Sequence, residues 1–170
     1  MNLIAETERL VIREMDSAVD AEFIFAVLNS PKFIKYIGDR GVRSVAEAAD
    51  FIDDRYCQSY IDHGFGLYTV QQKTDATQIG MCGFVKRPHL EHADLGFAFL
   101  PEFERKGYGF ESASSMLNYG KTELGFSSVY AITSLDNDAS GKLLEKLGFE
   151  FTGVQTMPDG ESLKIYSTTL

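Results

Sequence analysis

Leu100-Pro101-Glu102-Phe103-Glu104-Arg105-Lys106-Gly107-Tyr108-Gly109-Phe110-Glu111 is the stretch around which the rest of the chain is read. It leaves a strand-like apolar run, Ala93 to Leu100, breaks at Pro101 and enters a helical pattern extending from about Gly107 to Leu124. Gly107 and Gly109 remove side chains where that helix begins, so the free backbone N–H groups of the first turn can approach an anion such as a pyrophosphate. Arg105 and Lys106 add positive charge beside the same pocket. A solvated turn can contain an isolated Gly-x-Gly too, and the neighbourhood has to decide. A dinucleotide fingerprint does not fit, because its third glycine falls on Ser112, and the lysine and hydroxyl of a P-loop are missing.

Upstream, Arg9 to Met15 alternates as a first strand and Ser17 to Asn29 reads as a helix with Val19, Phe23, Val27 and Leu28 on its apolar side. Asn29, Ser30 and Pro31 end it. A second helix is expected from Ser44 to Ile61, with Ser44 and Glu47 as a capping box, Ala48, Phe51, Ile52 and Tyr56 facing inward, and His63 and Gly64 as the stop. Phe65 to Gln71 and Gln78 to Val85 form a hairpin pattern around Lys73-Thr74-Asp75-Ala76. Downstream come a strand at Val129 to Thr133, a helix at Asn137 to Leu147, and a hairpin of Phe149 to Thr156 with Ser162 to Thr168. This order predicts an α/β fold of the mixed α+β kind, with a central, mostly antiparallel sheet flanked by helices.

The chain has 170 residues, the size of one ordinary domain, and no linker or low-complexity segment divides it, so residues 1–170 are expected to form a single domain. With 44% hydrophobic and 24% charged residues it is not a disordered or collagen-like sequence. Sixteen Lys and Arg against twenty-five Asp and Glu give a net charge of −9, which disfavours nucleic acid and anionic membrane surfaces as partners and leans toward cationic ones. Cys57 and Cys82 are isolated and read as reduced core residues; neither a metal site nor a disulfide framework is expected. The start of the chain lacks a signal-like segment and no apolar run reaches membrane length, so the expected location is cytoplasmic.

A second informative stretch is Asn137-Asp138-Ala139-Ser140-Gly141-Lys142-Leu143-Leu144-Glu145-Lys146-Leu147-Gly148-Phe149. With Glu104 to Gly109, and with Glu8-Arg9-Leu10-Val11-Ile12-Arg13 near the start, it resembles the Gcn-related N-acetyltransferases, the GNAT family. The resemblance spans nearly the whole chain. The family's loop is Arg/Gln-x-x-Gly-x-Gly/Ala; Glu104 stands at its first position, is expected to turn away from phosphate, and leaves the backbone cradle intact. The Asn-x-x-Ser and Leu-Gly-Phe spacing is similar to the branch of Rim-type ribosomal-protein alpha-amino acetyltransferases.

That resemblance implies acetyl-CoA as cosubstrate, held by Arg105, Lys106, Gly107, Tyr108, Gly109 and Phe110 at its diphosphate. It implies that backbone N–H groups of Phe97, Ala98 and Phe99 line the pantetheine arm and acetyl group, that Asn137 contacts the cofactor, and that the catalytic residue Ser140 lies beside the sulfur. Read from the residues alone, Asn137 is equally a helix N-cap and Ser140 a first-turn residue. Many family members carry a tyrosine acid four residues before the Gly-Phe pair, a position held here by Leu144. The implied reaction is direct attack of an amine on the thioester, the acceptor being a protein N-terminus or a small amine such as a polyamine or antibiotic; a non-catalytic acyl-CoA sensor is the rival reading. Asp94, His92, His89 and Glu102 flank the cofactor strand as proton acceptors, each reading first as a solvated surface residue. Residues 34–42 and 44–54 would border the acceptor groove, with Asp39, Asp50, Asp53 and Asp54 drawing a cation. The branch resemblance also suggests a homodimer.

Overall fold

A computed structural model describes residues 1–170. Strands β1 (Leu3–Glu6) and β2 (Leu10–Arg13) form a hairpin, followed by helices α1 (Ser17–Leu28), α2 (Pro31–Tyr36) and α3 (Val45–Phe51). A π-helical turn, Ile52–Cys57, joins α3 to α4 (Gln58–His63). Then come the meander β3 (Leu67–Gln72), β4 (Gln78–Val85) and β5 (Asp94–Phe99), a 3-10 turn at Pro101–Phe103, and α5 (Tyr108–Thr122). The chain finishes with β6 (Ser128–Ser134), α6 (Asp138–Lys146), β7 (Glu150–Thr156) and β8 (Ser162–Thr169).

The eight strands make one sheet in the order β1-β2-β3-β4-β5-β6-β8-β7, antiparallel at every step except β5 beside β6. The expected mixed, mostly antiparallel sheet flanked by helices is what the chain forms. One face packs on α5 and α6 through Leu10, Ile12, Tyr68, Phe84, Met116 and Leu144; the other packs on α1 and α3 through Ile24, Val27, Ala48, Ile52 and Met81. Full burial of each large apolar side chain in these clusters stabilises the fold by about 1.5–3 kcal/mol.

Several local readings change. Strand β1 was not expected: it is four residues long and Leu3 is exposed, so it carries no buried alternation. Pro31 ends α1 but also opens α2, at the first-turn position where its missing N–H costs nothing. The helix from Ser44 exists, with Ser44 Oγ accepting from the Glu47 N–H at 3.1 Å, but it is interrupted by the π-helical turn. Val19 is 51% exposed rather than inward, because α1 is rotated to turn Asp20 into the sheet. There Arg13 holds Asp20 through two bonds of 2.9 Å, and both side chains are buried.

Candidate active site

Strands β5 and β6 run parallel and pair only at Asp94 and Tyr130; beyond that point β5 remains bonded to β4 as far as Phe99 and β6 to β8 as far as Ser134. The sheet is therefore open between them. Leu100 N–H bonds the Ile79 carbonyl on the β4 side, and Tyr130 N–H bonds the Ala93 carbonyl on the β6 side. Amide direction alternates along a strand, so Phe97 and Phe99 turn their N–H groups into the opening. Ala98 does not: it is paired with Met81 and its amide belongs to the β4 ladder, which corrects the expectation that it lines the cofactor arm.

Past β5, the chain reaches α5 through two left-handed residues, Arg105 (φ 58°) and Gly107 (φ 82°). Gly107 takes that conformation without a Cβ penalty, whereas Arg105 is strained by it. The backbone N–H groups of Arg105, Lys106, Gly107, Tyr108, Gly109 and Phe110 have no acceptor in the protein; the first bond of the helix runs from the Glu111 N–H to the Gly107 carbonyl at 3.0 Å. Such a run at a helix N-terminus is an anion cradle. Lys106 Nζ lies over the Phe103 ring at 5.8 Å and Lys146 Nζ, from α6, over Phe110 at 4.5 Å, so cations flank it. Glu104 is drawn off in an ion pair with Lys32 on α2.

Helix α6 starts where β6 ends. Asn137 caps it, its Oδ1 accepting from the Ser140 N–H at 3.3 Å, and Ser140 is half-buried. A Cβ added to Gly109 would lie 3.1 Å from Leu143 Cδ2 and 3.8 Å from Phe99 Cε2, so the start of α5, the end of β5 and α6 converge on one place. The Thr133 hydroxyl, on the same face of β6 as the core residues Val129 and Ala131, is buried with no partner. Tyr166 of β8 reaches the underside of the first turn of α6, below Gly141.

Where β5 and β6 part, Asp94 is 2% exposed, not solvated as expected, and accepts from Arg87 Nε at 3.1 Å. Burial raises its pKa, an effect that Arg87 reduces but does not cancel. His92 leans on the Tyr130 ring at a centroid distance of 5.2 Å, and His89 is 3.0 Å from the Met157 sulfur. Glu102 is exposed. On the α1–α3 side, Asp50, Asp53 and Asp54 are exposed, and Asp39 is bonded to Arg43 at 2.9 Å, which holds its carboxyl at about 2. The cation-attracting charge expected of Asp39 is thus already countered.

The structure adds Arg9, Glu111, Thr133 and Tyr166 to this neighbourhood. Sequence reasoning placed Arg9 only in an opening strand, and its bond to the loop spans 97 residues of sequence, beyond any local pattern. The sequence signal that was available is the Arg9 and Glu111 pair of opposite charges, one in the first strand motif and one in the first turn of the loop helix.

Residues 9–150 match the family model described as an acetyltransferase (GNAT) domain. The chain belongs to the GNAT family, and it is an acetyl-CoA-dependent acyltransferase. It is 31% identical over 153 residues to the uncharacterized N-acetyltransferase YoaA of Bacillus subtilis, covering 89% of this chain and 85% of that one. It is 22% identical to the spermidine N(1)-acetyltransferase of Escherichia coli K12, over 79% of this chain and 69% of that one. In fold it is similar to a RimL ribosomal L7/L12 alpha-N-protein acetyltransferase in complex with coenzyme A, with a TM-score of 0.84, 14% identity, and coverage of 99% and 98% of the two chains. No helix is long and apolar enough to cross a membrane.

The residues present fit the cosubstrate on two counts: six unpaired amides for a diphosphate and two inward-turned strand amides for an amide-bearing arm.

Proposed function

We propose that residues 1–170 act as one catalytic domain that moves the acetyl group of acetyl-CoA to an amine, the acceptor being the alpha-amino group of a protein N-terminus. The observation that carries the cofactor half of this reading is the unbroken series of acceptor-free amides from Arg105 to Phe110 at the end of the opened strand β5. The fold likeness to the L7/L12 acetyltransferase supports the acceptor half. The relationship to a spermidine acetyltransferase supports a polyamine as the alternative.

In this reading the bound thioester supplies an electrophilic carbonyl and a leaving sulfur. Gly107 to Phe110 grip the diphosphate through their N–H groups, with Arg105 and Lys106 adding charge. The Phe97 and Phe99 amides align the arm along the opening and hold the reacting group in place. The Ser140 hydroxyl donates a hydrogen bond toward the sulfur as it departs, and Asn137 fixes the turn that carries it while bordering the cofactor. Asp94 takes the proton from the amine: on β5 it shares with Ala98 the face toward the α1–α3 layer, and because it is buried beneath Arg87 the proton reaches it by relay rather than by direct contact with the acceptor. Its burial makes it a stronger base than a free aspartate.

A thiol-release assay with acetyl-CoA tests the proposal, run against peptides with free N-termini, the same peptides blocked at the N-terminus, and spermidine. Turnover of the free peptides alone supports the reading. Turnover of spermidine alone moves the acceptor to polyamines, and release without either rejects both.

A further inference from the structure

We propose that Arg9, beside the turn between β1 and β2, is a diphosphate-binding residue that supplies from outside the loop the cation that Glu104 does not. This rests on the reading that the diphosphate sits at the start of α5.

The guanidinium of Arg9 is fixed on three sides. Its Nε donates to Glu111 Oε2 at 2.7 Å, its Nη1 donates to the Lys106 carbonyl at 3.0 Å, and its plane lies over the Tyr108 ring, 4.3 Å from the centroid. The anchor itself is held. Glu111 Oε1 accepts from the Thr7 hydroxyl at 2.6 Å and from the Arg9 N–H at 2.9 Å, while Gln72 Nε2 donates to the Tyr108 hydroxyl at 3.0 Å. Partial burial pushes the Glu111 carboxyl up, but these donors outweigh it and leave it below the usual range, so it stays ionised.

One nitrogen remains. Nη2 has no acceptor in the protein and lies 3.2 Å from where a Cβ on Gly107 would stand, at the flank of the loop that carries the unpaired amides. The groove here, about 580 Å³, is lined by Arg9, Gly107, Phe110 and by three carboxylates, Glu6, Glu8 and Glu111, of which Glu6 pairs with Lys73 and Glu111 with Arg9, and it opens onto the helix start. Glu111 places a negative charge in the first turn, where it competes with a bound anion. Arg9 neutralises it and presents the free N–H groups of Nη2 to a phosphate oxygen. Meanwhile Glu104, at the loop's own cationic position, is committed to Lys32.

The test compares wild type, Arg9→Ala and Arg9→Lys with two donors: acetyl-CoA, and S-acetylpantetheine, which lacks the diphosphate. For Arg9→Ala we expect the KM for acetyl-CoA to rise about tenfold or more, with kcat within about twofold, as for loss of one charge-assisted hydrogen bond. With S-acetylpantetheine, kcat/KM should equal that of wild type. Arg9→Lys, which keeps the charge beside Glu111 but loses the fork, should fall between the two with acetyl-CoA only, and it carries the test if Arg9→Ala does not fold. An equal loss with both donors, or no loss with either, overturns the assignment. A wild-type complex with coenzyme A separates the levels: diphosphate bound away from the loop removes the underlying reading, whereas diphosphate on the loop with unaltered Arg9 variants removes Arg9 alone.

Discussion

The phenolic oxygen of Tyr166 stands 2.7 Å from the position that a Cβ on Gly141 would occupy. Helix α6, which carries Asn137 and Ser140, therefore rests directly on β8 with no room for a side chain between them. Gly141→Ala gains about 1 kcal/mol of helix propensity, but the overpacking against a buried ring costs about 1–3 kcal/mol. We expect a net loss of stability, read as a lowered urea midpoint. Adding Tyr166→Phe should recover it, so that the two changes are not additive.

Arg105 bears a left-handed backbone with φ 58°. Arg105→Gly should relieve strain of about 1 kcal/mol, partly offset by the greater freedom of glycine in the unfolded chain. Denaturant midpoints should rise for Arg105→Gly and not for Arg105→Ala, which keeps the strain.

The buried Arg13 and Asp20 pair gives stability an acid dependence. Burial raises the Asp20 pKa, yet its bonds to Arg13, the Asp16 amide and Gln78 prevail and hold it below 3.8. A depressed folded value means that the contribution is complete above the unfolded value and is lost as pH falls through the folded one. Urea midpoints should drop steeply below about pH 4. Asp20→Asn should remove this group's share of the slope and cost about 3–5 kcal/mol at neutral pH, because the Arg13 charge is stranded.

The Asp94 pKa is shifted in the opposite direction. Its raised pKa means that the ionised, proton-accepting form is lost as pH falls through a value above 3.8. Asp94→Asn should lower kcat by about a hundredfold and abolish that limb of the pH profile. A pH profile identical to wild type would take Asp94 out of the mechanism.

Ser140→Ala should lower kcat while leaving the KM for acetyl-CoA nearly unchanged, since its bond forms as the sulfur leaves. Steady-state kinetics decide it.

The elements that read correctly from sequence are those with local signals. The loop from Pro101 to Gly109 announces itself by two glycines at a strand-to-helix junction, and α6 by Asn137 and its amphipathic spacing. What did not read were features set by distant contacts. Asp94 looks like a surface acid until Arg87 and the neighbouring strands cover it, and Val19 looks like a core residue until Asp20 finds Arg13 across the layer. Arg9 acquires its role from a loop at the far side of the sheet sequence, and Thr133 is unremarkable on β6 until its hydroxyl is found buried without a partner. The separation of β5 from β6 is a property of pairing, with no residue type to mark it.

The most direct measurement is a crystal structure of the protein with coenzyme A bound. The account predicts diphosphate oxygens at about 2.7–3.2 Å from the amide nitrogens of Gly107 to Phe110, with the pantetheine arm between β5 and β6. Coenzyme A bound anywhere else, with those amides still lacking an acceptor, would contradict it.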